Sequence, residues 1–274
     1  MEWNRARGIL IAVLLLVNLF LFGSGQSVRR QKTRLPEDYI QTVAAALERR
    51  GLEIDSALIP RDRIFLPRLT ISTGGALQPL IEALLQQQAP ATLVEGDATH
   101  YSSPAGEVVL LTQTDLVFTP SEPALDLPEA LRLLGQGGFH RGDFAELEGQ
   151  RLQQLYEDTP IDGCGVALLG GRLTGRLLVL DAPQAVYPET DLIDPPNALM
   201  LFAAAQGASA PSGGRTVLGV SVVYRIGAQG LNTLTATPAY RITTERGAYL
   251  VDAVSGAVSP STDIPAELPP DLTP

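Results

Sequence analysis

The 274 residues carry 20 basic against 30 acidic side chains, 45% hydrophobic residues and a single cysteine. One cysteine excludes an intramolecular disulfide framework, and the apolar fraction excludes a chain that is disordered throughout. Six of the basic residues precede Pro36, so the remainder holds 14 basic against 29 acidic residues, a net of −15 that repels nucleic acid and anionic lipid.

The first element in chain order is apolar. Residues 8–23 (GILIAVLLLVNLFLFG) hold no charge and one polar side chain, Asn18. At about 1.5 Å per residue the uncharged stretch 8–28 reaches roughly 31 Å, enough for a hydrocarbon core. It reads as a transmembrane helix, with 1–7 as a short N-terminus, Trp3 as an interface anchor and 29–35 as a basic juxtamembrane linker. A cleaved signal peptide is the competing reading, because Gly23, Ser24 and Gly25 follow the apolar run. Charge does not orient the segment: Arg5 and Arg7 precede it, while Arg29, Arg30, Lys32 and Arg34 follow it. Asn18 is either a passenger that a lone helix tolerates or a hydrogen-bonding group for a neighbouring helix. Helical spacing puts Ile11, Leu14, Leu15, Leu21 and Phe22 on the side of Asn18, and these six form the candidate partner-binding face in the membrane.

From Pro36 the pattern turns helical, with Ile40, Val43, Ala44 and Leu47 on one stripe and Gly51 as a stop. Extended runs over 52–59 and 63–72 follow. A second helix is expected over about 75–88, where Leu77, Leu80, Ile81, Leu84 and Leu85 align behind Ser72 or Thr73 as cap. Extended runs at 92–102 and 107–119 meet at Pro104-Ala105-Gly106, a hairpin turn. The pattern then restarts: Asp126 with Glu129 makes a capping box ahead of a short helix ending at Gly135. Strands are expected near 149–157, 164–170 and 172–181, and a helix at about 196–206 capped by Asp194. The alternation of Leu218, Val220, Val222, Tyr224 and Ile226 with their neighbours predicts a half-buried strand, with two more at 234–244 and 247–253. The fold expected is therefore α+β: the transmembrane helix, then two similar lobes at 36–124 and 125–258, each of antiparallel sheet with helices on one face. The proline-rich, acidic 259–274 reads as a disordered tail.

Chemistry is sparse in this sequence. His100 and His140 lie in no HExxH run or i, i+4 pair, and Cys164 sits between glycines at the start of an apolar strand, where a small buried residue suffices. The Gly135–Gly138 and Gly163–Gly165 stretches match neither a GxGxxG nor a GxxxxGK[ST] pattern. Carboxylates such as Glu146 with Glu148, or Asp181 with Glu189, are expected by chance among thirty acids. No catalytic, metal or cofactor residues are assigned, and the chain is not expected to be an enzyme.

Three stretches together resemble the YycI/WalI family of membrane regulators. The opening Met1-Glu2-Trp3-Asn4-Arg5-Ala6-Arg7 runs into a helix ending Asn18-Leu19-Phe20-Leu21. Tyr156-Glu157-Asp158-Thr159-Pro160-Ile161-Asp162 resembles the family's core. Pro238-Ala239-Tyr240-Arg241-Ile242 with Tyr249-Leu250-Val251-Asp252-Ala253 resembles a closing hairpin shared with PepSY-type modules. The resemblance implies an uncleaved anchor in the cell membrane, a cytoplasmic N-terminus and an extracytoplasmic domain. It also implies partners: a WalK-like sensor histidine kinase controlling cell-wall metabolism and a YycH-like companion, contacted partly through transmembrane helices. It supplies no catalytic residues and no cofactor. The alternative is a secreted or tethered PepSY-like module that binds a peptide or inhibits a protease.

If Asn18 bonds to a partner helix, Asn18→Leu should weaken co-purification with that partner by roughly threefold to thirtyfold while membrane insertion is unchanged. Equal recovery of the complex with and without the substitution would make Asn18 a passenger.

Overall fold

The computed structural model describes residues 34–86, 89–96, 98–180, 183–188, 192–207, 215–230, 232–262 and 264. The apolar segment 8–28, its candidate face (Ile11, Leu14, Leu15, Asn18, Leu21 and Phe22) and residues 265–274 lie outside them. Among the described residues no helix is long and apolar enough to cross a membrane. What is described is an α+β fold with four α-helices and one large mixed sheet of fifteen strands.

Helix α1 (Glu37–Glu48) follows Pro36, whose extended backbone starts the first turn. It buries Ile40, Val43, Ala44 and Leu47, the stripe read from the sequence. Gly51 donates its N–H to the Glu48 carbonyl at a φ of 78°, ending the helix in a conformation that glycine adopts freely. Leu52–Ile54 forms strand β1, and the rest of the expected extended run becomes a short 3₁₀ turn, Ser56–Leu58, capped by Asp55. Strand β2 (Arg68–Ser72) leads to helix α2 (Gln78–Leu85). Neither Ser72 nor Thr73 caps that helix. Leu77 stands at its N-cap without a side-chain bond, and the Thr73 hydroxyl is taken by Gln113.

Each of the next two expected runs is folded into a pair. Strands β3 (Ala91–Glu95) and β4 (Ala98–Ser103) turn at Gly96. Strands β5 (Gly106–Leu110) and β6 (Asp115–Pro120) turn at Thr112, whose hydroxyl accepts the Asp115 N–H at 3.0 Å and donates to its carboxylate at 2.5 Å. Helix α3 (Leu127–Gln136) begins with Asp126 Oδ1 accepting the Glu129 N–H at 2.8 Å, the cap read from the sequence. Strands β7 (Phe144–Leu147), β8 (Arg151–Tyr156), β9 (Thr159–Leu169) and β10 (Arg172–Arg176) follow, then β11 (Gln184–Val186). Helix α4 (Pro195–Gly207) is capped by Asp194, which accepts the Asn197 N–H at 2.9 Å. Strands β12 (Arg215–Gly230), β13 (Thr233–Thr244) and β14 (Gly247–Asp252) form the closing meander.

The strand order is β11-β2-β13-β12-β9-β10-β6-β5-β4-β3. Most neighbours are antiparallel, as expected, but β1 and β9 both pair with β12 in parallel. These partners are far apart along the chain, so no tight hairpin fixes their direction. One core gathers α1, β1, α4 and the meander around Leu47, Phe202 and Tyr240. A second gathers α2, α3 and β5 to β10 around Leu80, Phe118 and Leu134. Residues 120–128, where the sequence pattern restarts, lead into α3, which packs on α2 in this second core. A small third core of Leu69, Ile71, Ile161, Cys164, Leu178, Tyr224 and Ala236 lies among β2, β9, β12 and β13.

The expected disordered tail is corrected for its first residues. Val258–Pro260 forms strand β15 against β14, and Ile264 is buried. Local composition here is outweighed by a free β14 edge and an apolar seat for Ile264.

Where α2 and α3 meet, a Cβ on Gly137 would lie 2.7 Å from both Cα and Cδ1 of Leu80, so the two helices approach as closely as glycine permits. Gly137 has an ordinary negative φ, so Gly137→Ala tests packing alone. It should destabilise the domain by about 1–3 kcal/mol, read as a lower urea midpoint with an unchanged slope. An unchanged midpoint would show that the helices can part without cost.

Candidate functional site

A cleft of about 560 Å³ lies between the two halves of the sheet. Three pieces converge on it: the end of β2 with the start of α2, the turns around β4 to β6, and the β12–β13 turn. Its apolar walls are Leu77, Ile81, Leu110 and Leu234, and Tyr101 stands on β4. Hydroxyls and amides supply the polar groups, among them Thr73, Gln78 and Thr99.

A short relay ties the three pieces together. The Thr73 hydroxyl donates to Gln113 Oε1 at 2.6 Å, and Gln113 Nε2 donates to Asn232 Oδ1 at 2.7 Å. The Thr73 N–H donates to the Asn232 carbonyl at 3.0 Å. Beneath this relay Asp115 holds Arg176 through two hydrogen bonds of 2.8 and 3.1 Å, fixing β6 against β10. Neutral donors and acceptors set beside apolar walls are suited to hold an uncharged polar ligand or an extended backbone. Proton transfer would call for a different set of side chains.

A second hollow of about 620 Å³ opens between α1 and α4, lined by Arg50, Arg63, Ile193, Asp194, Asn197 and Leu201 among others. Beside it burial pushes the Tyr39 phenol up, Asp194 adds to the rise, and Arg63 and a hydrogen bond to Asn197 offset part of it. Asp194 is already engaged as the cap of α4.

The residues singled out in the sequence are dispersed. His100 Nδ1 lies 3.0 Å from Glu107 Oε1 across β4 and β5. His140 is exposed, and its backbone N–H donates to Asp143 at 2.7 Å. Glu146 pairs with Arg141 at 2.9 Å, whereas Asp181 and Glu189 lie outside the described residues. Cys164 is wholly buried, and burial pushes its thiol up to about 12. The two glycine stretches have packing roles: Gly137 admits Leu80, and Gly163 and Gly165 lie under the chain's last described residues. Thr73 was read from the sequence only as a helix cap, and Gln113 and Asn232 carry no sequence signal of their own. Only their positions in polar turns were visible, and nothing local joins positions 119 residues apart.

No protein-family model matches this sequence, and no curated protein matches it. Among solved structures the chain is similar to a protein of Eubacterium rectale at 10% identity, covering 78% of this chain and 86% of the other, with a TM-score of 0.40. It is also similar to the C-terminal domain of Bacillus megaterium YpeB at 13% identity, covering 70% of this chain and 99% of that domain, with a TM-score of 0.28. At such scores neither likeness bears on what the chain does.

Because the unfolded thiol ionises near 9.0 and the folded one near 12, the folded state keeps its proton while the unfolded state loses it. The thiol's contribution to stability is therefore present below pH 9 and is lost as pH rises towards 12. Native protein at pH 8 should resist a thiol reagent that labels the urea-unfolded chain at once. Rapid native labelling would contradict a sealed Cys164.

Proposed function

We propose that this chain is a non-catalytic regulator, anchored in the cell membrane by residues 8–28 with its N-terminus in the cytoplasm. Its acidic domain works outside the cytoplasm. It modulates a WalK-like sensor histidine kinase together with a YycH-like companion, through contacts in the membrane and on the domain.

The observation that supports this most is how soon the folded domain begins. Arg34 already forms a backbone β-bridge with Asp62, and the Leu35 N–H donates to the Arg61 carbonyl at 2.7 Å. Six residues from Val28 to Arg34 span at most about 21 Å. A domain tethered that closely stays beside the membrane, where it meets the membrane-proximal parts of other anchored proteins. A small module held at the surface gains high effective concentration towards such neighbours without a large interface of its own.

The second reading is a PepSY-like module that binds a peptide or inhibits a protease. It is favoured by the edge at β3, which among the described residues pairs only with β4 and where Leu93 and Val94 are 63% and 68% exposed. Unpaired edge strands of this kind accept extended peptides by strand addition.

One experiment separates the two. Residues 8–28 are replaced by an unrelated transmembrane helix of equal length, and the kinase is co-purified from cells. Protease is added to spheroplasts in parallel. The regulator reading expects the domain to be digested from outside and kinase recovery to fall at least threefold with the foreign helix. Protection of residues 36–274 from protease would overturn the topology. Unchanged kinase recovery would remove the membrane contact from the account, and co-purification of a peptide or protease without any kinase would establish the second reading.

A further inference from the structure

Residues 258–262 and Ile264 form a strap that occupies a built groove on β9, and we infer that this groove is a peptide-docking site which the strap holds closed in competition with a partner's segment. The inference stands apart from the proposed function and requires neither the anchor nor a kinase.

The groove is made by an unusual stretch of strand. Gln153 pairs with Gly165 and Leu155 with Pro160, so Ile161, Asp162, Gly163 and Cys164 all lie opposite the single residue Gln154. That bulge turns the Asp162 carboxylate towards the strap. Asp162 is 6% exposed and accepts two hydrogen bonds there, from the Ser261 hydroxyl at 2.6 Å and from the Thr262 N–H at 2.9 Å. The Arg241 guanidinium stands 3.9 Å from the same carboxylate.

The floor is cut to fit. A Cβ on Gly163 would lie 3.0 Å from Thr262 Cβ, and one on Gly165 would run into the Leu152 carbonyl and lie 2.8 Å from Ile264 Cδ1. Ile264 itself is 4% exposed. The groove therefore reads a hydroxyl residue, a second residue through its backbone N–H, and an aliphatic side chain two positions further on. The Gly-Cys-Gly stretch is the seat of that segment.

Two features make the seat exchangeable. β15 is only three residues long and lies at the edge of the sheet, so the strap can leave without unpairing any other strand. Among the described residues, the side-chain hydrogen bonds that hold it to the sheet end on one carboxylate, Asp162. A partner segment with the same pattern would restore every contact the strap gives up. The partner is accordingly an extended peptide carrying hydroxyl–x–x–aliphatic spacing, taken up beside β14 in place of β15.

The test uses the full chain in detergent micelles and a fluorescein-labelled peptide of the strap sequence, VSPSTDIPA, with anisotropy as the readout. Thr262→Pro removes the N–H that Asp162 accepts, and Ile264→Glu independently unseats the aliphatic side chain. Either change should raise peptide affinity at least tenfold over the unmodified chain, with the circular dichroism spectrum unchanged. Adding Asp162→Asn to either should abolish most of that gain, and a peptide with Ser and Thr replaced by Ala and Pro should bind at least tenfold more weakly. If both strap variants keep a native spectrum and bind the peptide no better than the unmodified chain, the groove is not a docking site. Gain that survives Asp162→Asn would likewise overturn the assignment.

Discussion

The bulge on β9 is the constraint on which the rest of the structure depends. There the sheet passes from the half that covers α2 and α3 to the half that covers α1 and α4, and β9 meets β12 through one residue pair, Tyr224 with Ile161. A bulge of four residues against one leaves backbone groups without ladder partners in a buried place, which is costly unless they are satisfied. One buried amide meets part of that need, and a second, beside it, holds the chain just past β10. Gln153 Nε2 donates to the carbonyls of Ile161 and Cys164, the latter at 2.9 Å. Gln154 accepts the Leu178 N–H at 3.0 Å and donates to its carbonyl at 2.6 Å. Gln153 thus satisfies two carbonyls of the bulge, and Gln154 both backbone groups of Leu178.

Several other features follow from that bend. It turns Asp162 towards Ser261 and Thr262, which is why a segment that looks compositionally disordered is folded as far as Ile264. It also separates the ends of β2 and β12 from β5 and β6, leaving the cleft that the Thr73–Gln113–Asn232 relay spans. Tyr224 packs edge-on against Tyr156 at 5.9 Å beside the bend, its buried hydroxyl without a hydrogen-bond partner among the described residues. The small third core around Cys164 is thus shared by both halves. A thiol in that position fills space where the two halves of the sheet meet and carries no charge at neutral pH.

Helices α1, α2 and α3 were legible as amphipathic stripes, and local boundary signals marked α1 at Pro36 and Gly51 and α3 at Asp126; α4, apolar on nearly every side, was marked by its cap Asp194. The hairpins at 91–103 and 106–120 were not, since their turns rest on Gly96 and on a threonine–aspartate pair within runs that otherwise read as continuous strand. Parallel pairing of β1 and β9 with β12 leaves no local mark at all. For the same reason the two cores do not follow one another along the chain as the restart near Asp126 suggests: residues 35–59 join residues 198–253 across everything between. The relay residues were invisible as a site because each alone is an ordinary turn residue. The glycines under the strap were conspicuous, but their meaning depends on a segment about a hundred residues away.

If the bulge joins the two halves into one cooperative unit, a change at Gln153 must be felt on both sides of it. Native-state amide exchange on Gln153→Met, which strips the donor from two buried carbonyls while keeping the side chain's length, is the direct measurement. The loss should lie in the range of about 1–3 kcal/mol expected for buried acceptors left unsatisfied. Protection in α1 around Val43 to Leu47 and in α2 around Ile81 to Leu85 should then fall together, by roughly five- to hundredfold. A fall confined to one helix, or no fall in either, would contradict the account.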